Sequence, residues 1–267
     1  LRGEEYAFLF ESVVGGERLA RYSMLGVAPR ERLVGDLERV RLLRADGSEE
    51  VLPGDPYAAV RAYMARFRCP HLPELPRFCG GLVGYFSYDT VRLVEDLPRV
   101  PDDELGLPDL HLMRFDTVAV FDHSFNHLLL ISHLDLTGDD DLDTAWDRLT
   151  ERLDAVQERL SGPHEAGIVA PQTCPGPDYQ AHTERAAFES AVERIRAYIR
   201  AGDIFQAVPS LRLSAPVDVS PFQVYRSVRS LNPSPYMFCL RMGDASVVGA
   251  SPEIMVRVED GTVVVRP

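Results

Sequence analysis

The sequence has 267 residues, 45% of them hydrophobic, enough for one large domain or two modest ones with a real core. Its net charge of -13 and lack of any basic cluster argue against a nucleic-acid face or an anionic membrane partner, and no apolar run reaches the roughly 18 residues of a membrane-spanning helix. All 28 basic residues are arginine, which excludes a lysine nucleophile, Schiff base or phosphate-loop lysine from this stretch.

The N-terminal run LRGEEYAFLFES has no basic segment followed by an apolar stretch and a cleavage site, so no secretory signal is read there. Residues 6–12 and 19–25 read as two strands around Gly15-Gly16. Asp46-Gly47, between alternating segments of 38–52, predicts a hairpin. Asp55-Pro56 then opens a helix, with Asp55 as N-cap and Tyr57, Val60, Tyr63, Met64 and Phe67 on one face.

Gly80 to Asp89 (GGLVGYFSYD) reads as a strand that another backbone approaches closely, because three glycines fall within five residues. It does not match a phosphate-cradling loop. Residues 115–134 predict two strands joined around Ser124-Phe125-Asn126. Leu142, Trp146, Leu149, Leu153, Val156 and Leu160 recur at spacings of four and three and predict one amphipathic helix. The acidic run before it, Gly138 to Asp143, lacks the offsets of a calcium loop and reads as helix N-capping.

Ser161 to Pro177, rich in proline and glycine, reads as an exposed linker and as the boundary between a part at 1–160 and one at 179–267. A helix is expected over 181–201, capped by Gly202, then a strand over 204–213 and a helix over 221–231. Hairpins around Gly243-Asp244 and Asp260-Gly261 end the sequence. Strands in hairpins with helices between them argue for an α+β fold with antiparallel sheets packed face to face. The final strand, with its outer edge uncovered, reads as part of an unfinished sheet.

Few residues advertise chemistry. The seven histidines form no triad, and His123, His127 and His133, in or beside one hairpin, read as turn and surface residues, so no metal site is expected. The four cysteines form no CxxC pair, and free thiols in a reducing cytoplasm are the expectation. Glu253 follows a Ser-Pro turn between apolar strands, where burial would suit a general acid; composition alone favours a surface hairpin glutamate. Asn232 to Met237 is a turn stiffened by two prolines, fit for a strand entry or a preorganised ligand wall.

Five blocks, FLFES with GGERLARYSMLG at 8–26, GGLVGYFSYD at 80–89, GDIFQAVPSLR at 202–212, LNPSPYMFCL at 231–240 and VGASPEIMVR at 248–257, stand in the order and spacing of anthranilate synthase component I. The resemblance to that family spans essentially the whole chain. It implies an α+β sandwich of two antiparallel sheets with helices on the outside. It also implies an Mg²⁺-dependent, tryptophan-inhibited enzyme that converts chorismate to anthranilate and pyruvate. Ammonia, or glutamine through an amidotransferase subunit, supplies the nitrogen.

By the same resemblance, Glu253 is the acid that protonates the departing C4 hydroxyl of chorismate, with Ser251 and Gly249 beside the substrate. Water-adding relatives carry a base lysine where this chain has Gln206, and a neutral amide there fits ammonia as nucleophile. Tryptophan is expected against Leu9, Glu11, Ser12, Tyr22, Asn232, Pro235, Tyr236 and Met237. Pro209 and Leu211 depart from the family pattern in the 202–212 block.

Residues 1–160 are then a regulatory sandwich part and 179–267 the start of a chorismate-binding domain. The metal ligands and most substrate contacts are expected beyond residue 267, so the chain alone is expected to be inactive. The related aminodeoxychorismate synthase and a non-catalytic tryptophan-binding module are the competing readings.

Overall fold

The computed structural model describes residues 3–13, 21–70, 72–136, 141–163, 176 and 178–265. Along the chain come β1 (Tyr6–Glu11), β2 (Tyr22–Val27), β3 (Glu31–Gly35), β4 (Val40–Arg44), β5 (Glu49–Leu52), α1 (Pro56–Met64), β6 (Gly81–Phe86) and a 3₁₀ segment over Tyr88–Leu93. Then follow β7 (Leu110–Phe115), β8 (Thr117–Asp122), β9 (His127–Ser132), α2 (Leu142–Ser161), β10 (Gln180–Ala181), α3 (Arg185–Ala201), β11 (Leu213–Ser214) and α4 (Pro221–Leu231). The last strands are β12 (Tyr236–Met242), β13 (Ala245–Ser251), β14 (Val256–Glu259) and β15 (Thr262–Val265).

Two antiparallel sheets carry this architecture. One runs β13-β12-β1-β2-β8-β9 and the other β5-β4-β3-β7-β6. Strand alternation gives each sheet two apolar faces. From the first sheet, Phe8, Val118, Val120, Ile131, Leu240 and Met242 meet Val83, Met113 and Phe115 of the second in one core. The rings of Phe8 and Phe115 meet edge to face at 4.8 Å.

The outward faces are covered by helices. Leu33, Val40, Leu42, Leu110 and Leu112 pack against Ala59 and Tyr63 of α1, while Leu9, Met237, Cys239 and Val248 pack against Phe222, Tyr225 and Val228 of α4. The order is therefore helix, sheet, sheet, helix, the α+β sandwich expected from the sequence. Burying each Leu- or Phe-sized side chain stabilises it by roughly 1.5–3 kcal/mol.

Local rules account for much of this. The Asp55 carboxylate accepts the amides of Tyr57 and Ala58 at 3.0 Å each. Asp141 caps α2 through the Thr144 amide at 2.9 Å. Gly202 ends α3 with a left-handed φ of 83°. Gly84 lets two strands meet: a Cβ there would lie 1.9 Å from the His111 carbonyl oxygen.

Several expectations are corrected. The buried face of α1 runs through Pro56, Ala59 and Tyr63 with Val60 and Phe67 packed beside it, and Met64 is exposed, so its apolar stripe is shifted toward Pro56 and Ala59 from the expected one. α3 begins at Arg185 because Ala181 is taken up in the β10–β11 ladder. The strand expected over 204–213 shrinks to Leu213–Ser214, and Phe205 and Val208 stand in solvent. Pro209 lacks the N–H that a ladder through this segment would need. β3 and β7, both central in the second sheet, were not anticipated.

The chain divides into two compact units, Leu1–Gly167 with Pro221–Pro267, and Ile168–Ser220. The first holds both sheets, and β12 and β13 extend the sheet that β1 belongs to. The second holds α3 and the short β10–β11 ribbon. Most of the expected linker, 164–175 and 177, lies outside the described residues. Among the described residues, no helix is long and apolar enough to cross a membrane.

Candidate functional site

The site begins with one residue on β1. Alternation sends Phe8 and Phe10 into the core between the sheets and Leu9 to the opposite face, beneath α4. Glu11 shares the parity of Leu9. Its cross-strand neighbours are Ser23 on β2 and Met237 on β12. Ser23 donates its hydroxyl to Glu11 Oε1 at 3.0 Å. On the other oxygen, Oε2, Glu11 accepts the Tyr225 hydroxyl at 2.6 Å and Arg229 Nε at 3.0 Å.

Three donors on a carboxylate whose side chain is 13% exposed make a fixed anion between a sheet and a helix. Burial, and then the hydrogen bond to Glu11, push the Tyr225 hydroxyl far above the ordinary tyrosine range, so it remains a donor. His123 extends the chain. Its Nε2 lies 2.8 Å from Ser23 Oγ, and since that hydroxyl donates to Glu11, the nitrogen is assigned as the proton donor.

The proline turn closes on the same end. The Val13 amide donates to the Ser234 carbonyl at 3.1 Å, and the Asn232 amide caps α4 through the Val228 carbonyl at 2.8 Å. Ser234 is buried. Between Glu11 and this turn, the Ser12 hydroxyl is buried with no hydrogen-bond partner among the described residues. A buried hydroxyl without a partner is costly, and a polar ligand atom would satisfy it.

Of the residues singled out for tryptophan, Leu9, Glu11, Ser12, Asn232, Pro235 and Met237 thus gather at one corner of the first sheet. Met237 is buried beneath α4. Tyr22 packs against the core on the other face of the sheet, and strand parity puts Tyr236 on that face with Phe238 and Leu240. Tyr225, Arg229 and His123 were missed by the sequence reading. The heptad-like spacing of Phe222, Tyr225 and Arg229 on one helix was the available signal, and it does not say which strand they meet.

The residues singled out for chorismate are less enclosed. Gly249 stands opposite Phe238, and a Cβ there would fall 2.3 Å from that ring, so the glycine makes room for the aromatic side chain. Ser251 donates to the Glu253 carbonyl at 2.8 Å, which shapes the bend after β13. Glu253 is exposed rather than buried. Gln206 is exposed too and belongs to the unit 168–220, whereas Glu253 belongs to the other. Among the described residues, no group of three or more His, Cys, Asp or Glu side chains is placed to hold a metal ion.

A family model described as chorismate binding enzyme matches residues 23–267. The chain belongs to that family. Among curated relatives, anthranilate synthase component 1 of Pseudomonas aeruginosa is 43% identical, over 98% of this chain and 54% of that protein. The protein of the same name from Acinetobacter calcoaceticus is 38% identical, over 100% of this chain and 55% of the relative. A crystal structure of anthranilate synthase component I from Streptococcus pneumoniae TIGR4 superposes with a TM-score of 0.76 at 32% identity, over 94% of this chain and 55% of that one. The chain therefore spans about half the length of the relatives it matches.

Proposed function

We propose that the protein is component I of an anthranilate synthase. It takes chorismate, with ammonia released from glutamine by an amidotransferase subunit, to anthranilate and pyruvate in cytoplasmic tryptophan biosynthesis. What carries this reading is the alignment of 98–100% of the chain with relatives bearing that one name. In the reaction Glu253 protonates the departing C4 hydroxyl of chorismate, and Ser251 and Gly249 border the substrate. Gln206, a neutral amide, cannot take a proton from water, which leaves ammonia as nucleophile. Magnesium belongs to the implied chemistry, but the described residues supply no ligand cluster for it, and none of these roles passes through a metal.

The second half of the proposal is feedback inhibition by tryptophan at the Glu11 corner. The fixed carboxylate suits an α-ammonium group, the partnerless Ser12 hydroxyl suits a polar atom of the ligand, and Pro235 in the adjoining turn offers an apolar surface to an indole. Two measurements test the reading. Anthranilate fluorescence should appear when the full-length protein receives chorismate, ammonium and magnesium, and should be absent for the 267-residue chain alone. Titration calorimetry should show tryptophan binding. A full-length protein that makes no anthranilate overturns the catalytic half, and calorimetry without a heat of tryptophan binding overturns the regulatory half.

A further inference from the structure

At the β9 edge of the first sheet, the opposite edge from β13, a thiol lies beside an imidazole. Cys69 is exposed, and its Sγ lies 3.6 Å from His133 Nδ1, just beyond the end of β9. The other ring nitrogen, His133 Nε2, lies 2.8 Å from the carbonyl oxygen of Cys79. A carbonyl can only accept, so Nε2 carries the proton, and Nδ1 presents its lone pair to the thiol.

The ring is held there from three sides. The His133 amide donates to the Asp116 carbonyl at 2.8 Å. Gly80 lies under the ring, and a Cβ at that position would fall 2.7 Å from His133 Cδ2 and 3.0 Å from the Phe115 carbonyl oxygen. Leu75, Phe78 and Cys79 of the segment that follows Cys69 pack against the core between the sheets, which anchors that segment from below. The first glycine of the GGLVG run is thereby explained: it is the seat of an imidazole.

A nucleophile within reach of a base, the base oriented by a third group, is the arrangement that activates a thiol. We propose that Cys69 is a modification site, with His133 as its general base, whose thiol hydroperoxides oxidise to a sulfenic acid. Cys69 sulfur attacks one peroxide oxygen, forming the S–O bond as the O–O bond breaks. The thiol proton passes to His133 Nδ1 and then to the departing hydroxide, which leaves as water. Sulfur loses two electrons and the peroxide gains them, so one thiol and one hydrogen peroxide give one sulfenic acid and one water. The Cys69 hydroxyl-sulfur product stays at the surface. The two other cysteines whose surroundings are described are set apart from this chemistry: Cys239 is fully buried beneath α4, and burial pushes the Cys79 thiol up, with Cys69 near enough to add to the effect.

The experiment is sulfenic-acid trapping with dimedone after hydrogen peroxide, read per cysteine by peptide mass spectrometry on the intact chain. Cys69 is expected to be labelled faster in the native chain than in the same chain unfolded in urea. His133→Gln keeps a donor for the Cys79 carbonyl and removes the base, and it should slow Cys69 labelling at least tenfold, a floor set below the roughly hundredfold at which general-base contributions begin. Labelling of Cys239 should stay low in that variant, which shows that the sandwich is still folded. A native Cys69 rate at or below its rate in urea overturns the proposal. So does a His133→Gln chain that keeps Cys239 protected and labels Cys69 at the native rate.

Discussion

Tyr225 donates its hydroxyl to the Glu11 carboxylate at 2.6 Å and ties the first strand to a helix 214 residues later in the chain. The same carboxylate also accepts from Arg229 on that helix and from Ser23 on the neighbouring strand. Glu11 is thus both a structural fastener and the anion of the candidate ligand corner. The two roles separate by mutation.

Removing only the hydroxyl tests the fastener. Tyr225→Phe keeps the ring packed on Met237 and Cys239 but leaves Glu11 with two donors. A hydrogen bond to a charged group contributes about 1.5–3 kcal/mol, and urea unfolding followed by circular dichroism should show a loss in that range.

Changing only the charge tests the corner. Glu11→Gln retains an acceptor for Tyr225 and Arg229 and removes the partner for a ligand ammonium. Tryptophan affinity measured by calorimetry is expected to fall at least tenfold, corresponding to about 1.4 kcal/mol or more. The unfolding midpoint should move less than in Tyr225→Phe.

His111 makes stability depend on pH. It is 7% exposed between the sheets, and its Nε2 has no hydrogen-bond partner among the described residues. Burial, with the Arg32 cation adding to it, lowers its pKa from 6.5 to about 4. Between those values the unfolded chain binds a proton that the folded chain refuses, so stability falls as pH drops through that window. The full effect is of the order of 3 kcal/mol. His111→Met should flatten the stability profile between about pH 6.5 and 4 relative to the parent chain, as read by urea midpoints at a series of pH values.

Gly84 tests the contact of β6 with β7. Gly84→Ala would press a methyl group onto the His111 carbonyl, which is backbone and cannot swing away. The β6 and β7 backbones must then move apart at the Gly84↔Leu112 pair. A loss of about 3 kcal/mol or more is expected in urea unfolding, against about 1 kcal/mol for Asp55→Ala, which removes only a helix cap.

Sequence by itself determined the features that short-range chemistry dictates. Asp55 and Asp141 cap their helices, Gly202 ends α3, Asp46-Gly47 and Asp260-Gly261 turn hairpins, and the spacing from Leu142 to Leu160 marks α2. The five ordered blocks also carried the family. Each of these is legible because the residues concerned act on neighbours a few positions away.

Only the tertiary structure decided the rest. β7 was illegible because its six residues are buried on both faces and include His111 and Arg114, which break the alternation a half-exposed strand would show. Arg114 is tolerated there because Glu31 and Asp116 lie within 3.4 Å and 3.1 Å. The same holds for the candidate site. Period-two alternation tells which residues of β1 share a face, but not that Glu11 meets Tyr225 and Arg229, nor that Tyr22 lies on the opposite face. Those partners come from strand order and helix docking, set by apolar burial summed over the whole sandwich rather than by any local pattern.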